Sequence, residues 1–329
     1  MGLKVDTDRH AKYRTAERGG GVIVVFGSVN IDIEMRVQRL PRPGETLLTR
    51  DYLMTPGGKG ANQALAAARG GAQVHLIGMV GNDNFGSFAL DLLNEQGVDV
   101  ANVGEAVDQH TGCATIWVDD SGENSIIVGA GANMATTASQ VPDSVLNDST
   151  VLLMQMEVSP TENWALVKRA KARGARILLN VAPAAMVPEE ILKTVDYLVV
   201  NELEGQTVAK EVGLGVEQAT RVPRALASRY GLTCILTLGG AGLLCFGADG
   251  GWSIPSLPVA AIDTTAAGDA FVGNLAVALD QGMDIEQALR WGSVGAGLSC
   301  TKEGAQSAMP HHDDVKANLD RLPASRKLS

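Results

Sequence analysis

The sequence predicts an α/β fold with a mostly parallel central sheet covered by helices on both faces. From Val151 onward, short apolar runs alternate with segments of helical spacing, an order typical of parallel strands joined by helices. Three of these runs end at Glu157, at Asn201 and at the glycine-rich turn after Leu238. Because ligands gather at the carboxyl ends of such strands, the same positions predict where a binding site lies.

Composition limits the possible classes of function. The chain has 329 residues, of which 45% are hydrophobic and 19% charged, as in soluble globular proteins. Its formal charge of −10 argues against nucleic acid and anionic membranes as partners. The four cysteines lack C-x-x-C spacing and lie in apolar stretches. They are therefore expected to be buried free thiols in a reducing compartment.

The beginning of the chain is charged and polar. Residues 1–20 lack the apolar centre of a signal peptide, and no apolar run in the chain reaches the ~18 residues of a membrane span. We therefore expect a cytoplasmic protein whose residues 1–20 form a disordered extension.

The first predicted strand, residues 21–27, is a continuous apolar run bounded by glycine. Asn30 and Asp32 follow it two residues apart, so an extended segment would place both side chains on one face. A carboxylate accepts hydrogen bonds and an amide both donates and accepts, which suits vicinal hydroxyls. The alternative is an ordinary turn at the end of the strand.

A glycine-rich cluster over residues 55–63 precedes an alanine-rich helix predicted over 61–69. Its glycines would let a polar ligand approach the backbone closely, with Lys59 and Asn62 as donors. No Ser or Thr follows Lys59, so the cluster is not a P-loop, and it is not a G-x-G-x-x-G dinucleotide loop. A flexible turn before the helix is the alternative.

The remaining elements follow from apolar periodicity and turn residues. Residues 112–118 and 124–128 alternate around a polar turn and predict a hairpin outside the main sheet. The other strands are predicted over 73–79, 151–156, 176–181, 196–200, 233–238, 243–246 and 252–254. Further helices are predicted over 85–96, 160–173, 216–230, 284–300 and 315–322, with others from 202 and up to 281. His311 and His312 lack a further metal ligand, so we expect exposed surface there.

The stretch D-T-T-A-A-G-D, residues 263–269, predicts a turn that leads into the N-terminus of a helix. The amides of Ala266, Ala267 and Gly268 would then be free to bind an anion. Asp269 could accept a proton from a hydroxyl that attacks a bound phosphoryl group. The alternative is an ordinary capped helix whose acidic side chains satisfy backbone donors.

The chain contains two characteristic blocks, G-G-K-G-A-N-Q-A at 57–64 and D-T-T-A-A-G-D at 263–269. Four shorter motifs accompany them: G-S-V-N-I-D, M-Q-M-E, N-E-L-E and T-L-G-G-A-G. With these motifs the chain resembles the PfkB-type carbohydrate kinases, and within them the ribokinase group, over roughly residues 21–325. The resemblance implies one Rossmann-like domain with a small β-sheet lid from about 38–55 and 112–128, often a homodimer contact. It also implies transfer of phosphate from ATP, with Mg²⁺, to the 5-hydroxyl of D-ribose.

The resemblance also implies roles for residues at matching positions, with Asp269 as the base and Ala266, Ala267 and Gly268 as the anion hole. The sugar would be held by Asn30, Asp32, Gly58, Lys59, Gly60, Ala61, Asn62, Glu157 and Asp269. The nucleotide would contact Asn201, Thr237, Leu238, Gly239, Gly240, Ala241, Gly242, Gly268, Asp269 and Ser293. Asn201 and Glu204 would help to place Mg²⁺, and K⁺ would lie among Asp263, Thr265, Ser299, Lys302, Gly304 and Ala308. Ser293 and Ala308 depart from the histidine and serine common in ribokinases.

Three other functions stay open on the sequence. One is a related kinase for deoxyribose, fructose or a nucleoside, although residues 30–32 with 59–62 favour a free pentose. Another is a protein that binds a sugar or nucleotide without catalysis, against which Asp269 and its small neighbours argue. The third, a hydride-transfer enzyme, is disfavoured because no dinucleotide glycine pattern follows a strand.

Overall fold

Two β-sheets carry the fold in the computed structural model, which describes residues 21–121 and 123–328. The strands are β1 (Val22–Phe26), β2 (Asn30–Arg36), β3 (Leu53–Gly57), β4 (Val74–Gly81), β5 (Asp99–Ala106), β6 (Gly112–Val118), β7 (Asn124–Gly129), β8 (Thr150–Met154), β9 (Arg176–Asn180), β10 (Tyr197–Asn201), β11 (Thr233–Thr237), β12 (Leu243–Gly247), β13 (Gly250–Ile254) and β14 (Arg326–Leu328). The helices are α1 (Lys59–Arg69), α2 (Asn84–Glu95), α3 (Pro160–Ala172), α4 (Glu189–Leu192), α5 (Glu202–Glu211), α6 (Val222–Tyr230), α7 (Ala267–Asp280), α8 (Ile285–Ser299) and α9 (His312–Asn318). The extension expected over residues 1–20 lies outside the described residues.

The larger sheet has ten strands in the order β14-β13-β12-β11-β10-β9-β8-β1-β4-β5. From β11 to β5 neighbouring strands are parallel, whereas β12, β13 and β14 add an antiparallel edge. The predicted fold class is therefore confirmed. The chain order reverses around β1, which lies between β8 and β4, and ligands bind at the carboxyl ends of strands at such a reversal.

Two hydrophobic layers cover this sheet, and β1 contributes to both. Ile23 and Val25 belong to the layer that contains α1, α7 and α8, whereas Val24 and Phe26 belong to the layer with α3, α5 and α6. Successive side chains of a strand point to opposite faces, so a strand buried on both faces must be apolar throughout. This explains why the run VIVVF predicted a buried strand correctly.

The smaller sheet, which we call the lid, has the order β3-β2-β6-β7. The predicted hairpin is confirmed as the antiparallel pair β6 and β7. Of the predicted segment 38–55 only residues 53–55 lie in this sheet, as part of β3, because residues 37–52 contain neither helix nor strand. The sheet also contains β2, which pairs with both β3 and β6. The run NIDIEMR alternates polar and apolar residues, the period-two pattern of a half-buried strand, which the prediction overlooked.

Several boundaries also differ from prediction. The polar, half-exposed edge strand β5 and the three-residue β14 were not predicted, and β14 extends the sheet beyond residue 325. The helix predicted over 216–230 begins only at Val222, and the one predicted over 315–322 is His312–Asn318. No helix in the described ranges is long and apolar enough to cross a membrane.

Surface and thiol predictions are partly corrected. All four cysteines are free, but only Cys234 and Cys245 are buried. His311 is exposed as expected. His312 is not, because its ring lies 5.0 Å from the Trp291 ring and its Nδ1 lies 3.0 Å from the Gly70 carbonyl oxygen.

Candidate active site

Asp269 lies in the first turn of α7, where two side chains of α1 hold its carboxylate. The Asn62 amide donates to Oδ2 at 3.0 Å and the Gln63 amide donates to Oδ1 at 2.8 Å. Asp269 as a whole is only 6% exposed. The contact depends on close packing of α1 against α7, since a Cβ at Gly273 would come within 2.5 Å of the Ala66 Cβ. The small residues after Asp269 therefore let the two helices approach.

The turn before α7 has an unusual backbone. Ala266 has φ 56°, the one non-glycine residue in the described chain with a positive φ. The Ala267 amide already donates to the Thr264 carbonyl at 3.2 Å, which corrects the expectation that all three amides are free. A Cβ at Gly268 would meet nothing within 4 Å, so this part of the helix start faces open space.

Two adjoining cavities meet at this helix start. The smaller, about 200 Å³, contains Asp269 and Lys59, and the larger, about 480 Å³, is mostly apolar. Both are lined by Thr237, Thr264, Ala267 and Gly268, so they form one continuous cleft.

Most of the residues predicted to contact a nucleotide line this cleft. The larger cavity contains Thr237, Gly239, Gly240, Gly242, Gly268 and Ser293, and the smaller contains Asn201, Thr237, Gly268 and Asp269. Leu238 and Ala241 are not among the lining residues. Leu238 packs against the hydrophobic layer that contains α6, and Ala241 is exposed.

The residues predicted to bind a sugar lie on β2 and around the start of α1. Asn30 is buried, and its Oδ1 accepts from the Asn133 amide at 2.7 Å. Asp32 follows on the same face of β2 and packs against Gly57, where a Cβ would come within 2.1 Å of Asp32 Oδ2. Glycine at position 57 therefore makes room for the carboxylate.

Glu157 is tied to the glycine-rich cluster. Its Oε2 accepts from the Ser28 hydroxyl at 2.5 Å and from the Lys59 backbone amide at 3.1 Å. The Ser28 Oγ in turn accepts from the Gly60 amide at 3.2 Å. These bonds hold the end of β1, the start of α1 and the end of β8 in one place. The carboxyl ends of β1 and β8 therefore lie beside the start of α1.

Carboxylates outnumber ammonium groups around the smaller cavity, which is lined by Asp269, Glu204 and Lys59. Asp32 and Glu157 are not among its lining residues but act on these groups electrostatically. Burial, followed by the charges of Glu157 and Asp269, raises the pKa of Asp32 to about 7, while Lys59 opposes the shift. The charge of Asp269 contributes most to raising the pKa of Lys59, against the effect of burial. Burial raises the pKa of Glu204. The cleft is therefore suited to ligands that bring a cation or hydroxyl donors.

Asn201 and Glu204 form a reciprocal cap at the start of α5. The Asn201 Oδ1 accepts from the Glu204 backbone amide at 2.9 Å, and the Glu204 Oε2 accepts from the Asn201 amide at 2.8 Å. This N-x-x-E spacing is a capping box, which satisfies two donors of the helix start. Both residues also line the smaller cavity.

Asp263 joins two loops beside the α7 helix start. Its Oδ1 accepts from the Thr265 amide at 2.9 Å, and its Oδ2 accepts from the Gly304 amide at 2.8 Å. Burial alone would raise the pKa of Asp263, but these hydrogen bonds and the charge of Arg36 hold it below its usual range.

The other residues predicted to bind a monovalent cation lie after α8. The Lys302 amide donates to the Ser299 carbonyl at 3.3 Å. Ala308 is buried, and its amide donates to Ala305 at 3.3 Å. The structure therefore links Asp263, Thr265 and Gly304 directly, and Ser299 with Lys302.

Residues 22–312 match the family described as pfkB family carbohydrate kinase. The chain belongs to the pfkB family of carbohydrate kinases. This kinase is 34% identical over 300 residues to a ribokinase of Haemophilus influenzae, a match that covers 91% of this chain and 98% of that one.

Solved structures of similar proteins agree with this assignment. An Arabidopsis thaliana ribokinase complexed with ribose and ATP superposes with a TM-score of 0.82 at 28% identity, over 91% of this kinase and 98% of that chain. A ribokinase from Thermotoga maritima superposes with a TM-score of 0.83 at 33% identity, over 92% and 99% of the two chains.

Sequence reasoning missed several polar residues of the site. Gln63 and Gln155 lie inside the quoted blocks, but nothing in their spacing distinguishes a buried amide from an exposed one. Asn180 could have been predicted from the sequence, because it is a polar residue at the end of β9 just as Asn201 is at the end of β10. Asn133 lies in a turn after the lid, where no periodicity connects it with Asn30.

Proposed function

We propose that this kinase transfers the γ-phosphoryl group of ATP to the 5-hydroxyl of D-ribose, giving ribose 5-phosphate and ADP. The observation that carries the proposal is the position of Asp269. Its fixed carboxylate faces a cavity that is continuous with the larger apolar cavity at the α7 helix start. An acceptor hydroxyl and a phosphate can therefore meet beside one base.

The chemistry assigned to this chain is base catalysis with charge stabilisation. Asp269 accepts the proton of the sugar hydroxyl as the oxygen attacks the phosphorus in line, a role worth about 10²–10⁴ in rate. Backbone amides at the start of α7 donate hydrogen bonds to the phosphoryl group that is transferred. The main donors are the amides of Ala266 and Gly268. Lys59 places a positive charge in the same cavity.

Sugar recognition is assigned to the lid and the glycine-rich cluster. Asp32 on β2 lies close enough to Glu157 and Asp269 for their charges to raise its pKa, and Asn30 lies on the same face of β2. The start of α1 connects these groups, since the Lys59 amide donates to Glu157 and the Asn62 side chain donates to Asp269. Carboxylates accept from vicinal hydroxyls, and amides both donate and accept. A ribose bound here supplies hydroxyl donors to carboxylates that repel one another. The ribose bound to the Arabidopsis relative supports this substrate class.

The nucleotide and Mg²⁺ are assigned to the rest of the cleft. In the described part of the chain no group of three or more His, Cys, Asp or Glu side chains is placed to hold a metal ion. This fits Mg²⁺, which typically takes one or two carboxylates, water and substrate phosphates. Asn201 and Glu204 are the polar groups for that role. When bound, Mg²⁺ neutralises charge on the phosphates.

A monovalent cation is proposed beside Asp263. The Asp263 carboxylate accepts from the Thr265 and Gly304 amides, and its charge lies next to the α7 helix start. A K⁺ ion there would act electrostatically on the anion hole, with further oxygen ligands from the loop 299–308. Equal activity in K⁺ and Na⁺ across a titration would contradict this assignment.

We further propose that the lid is where two copies of the chain meet. Its edge strand β7 exposes Ile126, Ile127 and Val128, and Leu53 on β3 is also exposed. Exposed apolar edge strands favour pairing with another chain. Light scattering of the wild-type protein should give the mass of a dimer. The Ile127→Asp variant should have a lower mass. A wild-type monomer at micromolar concentration would contradict the proposal.

A coupled ADP-release assay with ribose, deoxyribose, fructose and adenosine tests the proposed function. We expect the highest kcat/KM with ribose. A higher value with another acceptor would replace ribose by that substrate, and no ADP release with any acceptor would reject the kinase assignment for these sugars and nucleosides.

A further inference from the structure

A chain of buried side-chain amides extends from Asp269 into the protein, and one of its members, Asn180, also lines the smaller cavity. Gln63 Nε2 donates to Asp269 Oδ1 at 2.8 Å and to Asn180 Oδ1 at 3.1 Å. Gln155 Nε2 donates to Gln63 Oε1 at 2.6 Å. Both glutamine side chains are fully buried, and Asn163 donates to the Gln155 carbonyl at 2.8 Å.

This arrangement fixes which way the Gln63 amide faces. An ionised carboxylate only accepts hydrogen bonds, so the NH₂ group of Gln63 must face Asp269. If the amide turned over, its oxygen would face both the carboxylate and the Asn180 oxygen. The donor from Gln155 opposes that rotation because it requires the Gln63 oxygen to point toward it.

The fold accommodates Gln155 at some cost in stability. A Cβ at Gly27 would come within 2.0 Å of Gln155 Oε1, so the residue after β1 is a glycine where the amide needs space. Gln155 Oε1 has no hydrogen-bond partner in the described structure. A buried polar atom without a partner is unfavourable, and an apolar side chain would fill the space without that penalty. Stability alone therefore does not account for an amide here.

We propose that Gln63 is a positioning residue for the base and that Gln155 acts through it. This inference rests on the proposed function, because it assigns Asp269 the role of base. Each carboxylate oxygen receives one amide donor, from Asn62 on one side and Gln63 on the other. The remaining lone pairs are held toward the cleft, where the hydroxyl proton is transferred.

Gln155→Met and Gln63→Met test the proposal, since methionine keeps the approximate shape and removes the donors. For Gln63→Met we expect kcat to fall about tenfold or more, because small displacements of a catalytic group are costly. Gln155→Met should give a smaller fall in kcat. KM for the sugar should stay unchanged in both, the signature of an interaction made in the transition state.

The matched control is Gln140→Met. Gln140 is a half-buried amide that is not among the residues lining the cleft, and its Nε2 donates to the Gly78 carbonyl at 2.9 Å. The Gln140→Met variant should be less stable than the wild type and should keep the wild-type kcat. If Gln63→Met does not fold, Gln155→Met carries the test.

Unchanged kcat in the folded Gln155 variant, or a rise in KM alone, would overturn the proposal. Turnover of ribose by the wild-type protein tests the proposed function separately, and the variants are compared with whichever sugar that protein phosphorylates.

Discussion

Gly273 on α7 lies against Ala66 on α1, so close that a Cβ added to the glycine would come within 2.5 Å of the alanine Cβ and 2.7 Å of the Gln63 carbonyl oxygen. This contact sets the distance between the helix that carries Asp269 and the helix that carries Asn62. The geometry of the base therefore depends on packing one turn away from it.

Gly273→Ala should accordingly affect both stability and catalysis. Overpacking a buried contact costs about 1–3 kcal/mol in the free energy of unfolding, and separation of the helices should also lower kcat. Urea denaturation and the ADP-release assay measure the two effects. Gly215→Ala is the control, because a Cβ there meets nothing within 4 Å. Wild-type stability and kcat in Gly273→Ala would contradict the argument.

Asp269→Asn should lower kcat by about 10²–10⁴, the usual contribution of a general base. The variant keeps the size of the side chain, so the protein should stay folded, as thermal denaturation would check. Asp280→Asn changes a carboxylate at the other end of α7 and should keep kcat. Near-normal turnover by folded Asp269→Asn would remove Asp269 from its role.

The sequence predicted the fold better than the interior of the site. Continuous apolar runs such as residues 22–26 identify strands buried on both faces, because no polar side chain is tolerated there. In β2 polar and apolar side chains alternate strictly, which is the period-two signal of a half-buried strand. The prediction therefore missed a strand that the sequence does indicate, with Asn30 and Asp32 on its polar face.

The buried amides of the site could not be predicted from the sequence for a different reason. The fit of Gln63 and Gln155 depends on contacts between α1, β8 and α7, which are distant in sequence and meet only in the folded chain. The N-x-x-E motif also shows that local sequence does not reveal the position of a side chain in the site. It can be read locally as the helix cap that Asn201 and Glu204 form, and their position in the cavity follows only from the sheet order.

Asp32 should make both stability and sugar binding depend on pH. Its pKa is raised to about 7 in the folded protein, against about 3.9 in an unfolded chain. The folded state therefore binds more protons than the unfolded state between about pH 4 and 7, so its stability falls as pH rises through this range. Asp32→Asn should flatten that slope, as urea denaturation at several pH values would measure.

The raised pKa of Asp32 also predicts tighter sugar binding at higher pH. The ionised carboxylate accepts hydroxyl donors better than the neutral acid, so KM for ribose should fall as pH rises through about 7. Asp32→Asn should have a high KM that does not change over this range. A wild-type KM that is constant from pH 6 to about pH 8 would contradict the assignment of Asp32 to the sugar.

Ala266 should respond to substitution according to its left-handed backbone, with φ 56° and ψ 16°. This conformation costs an L-residue about 1–2 kcal/mol, and glycine avoids the cost while losing more entropy on folding. Ala266→Gly should therefore fold with stability near or slightly above that of the wild type. Ala266→Val should lose stability and kcat, because a β-branched residue is least tolerated at positive φ. Urea denaturation and kcat of both variants check this, and a valine variant as stable and active as the wild type would show that the turn adopts another conformation.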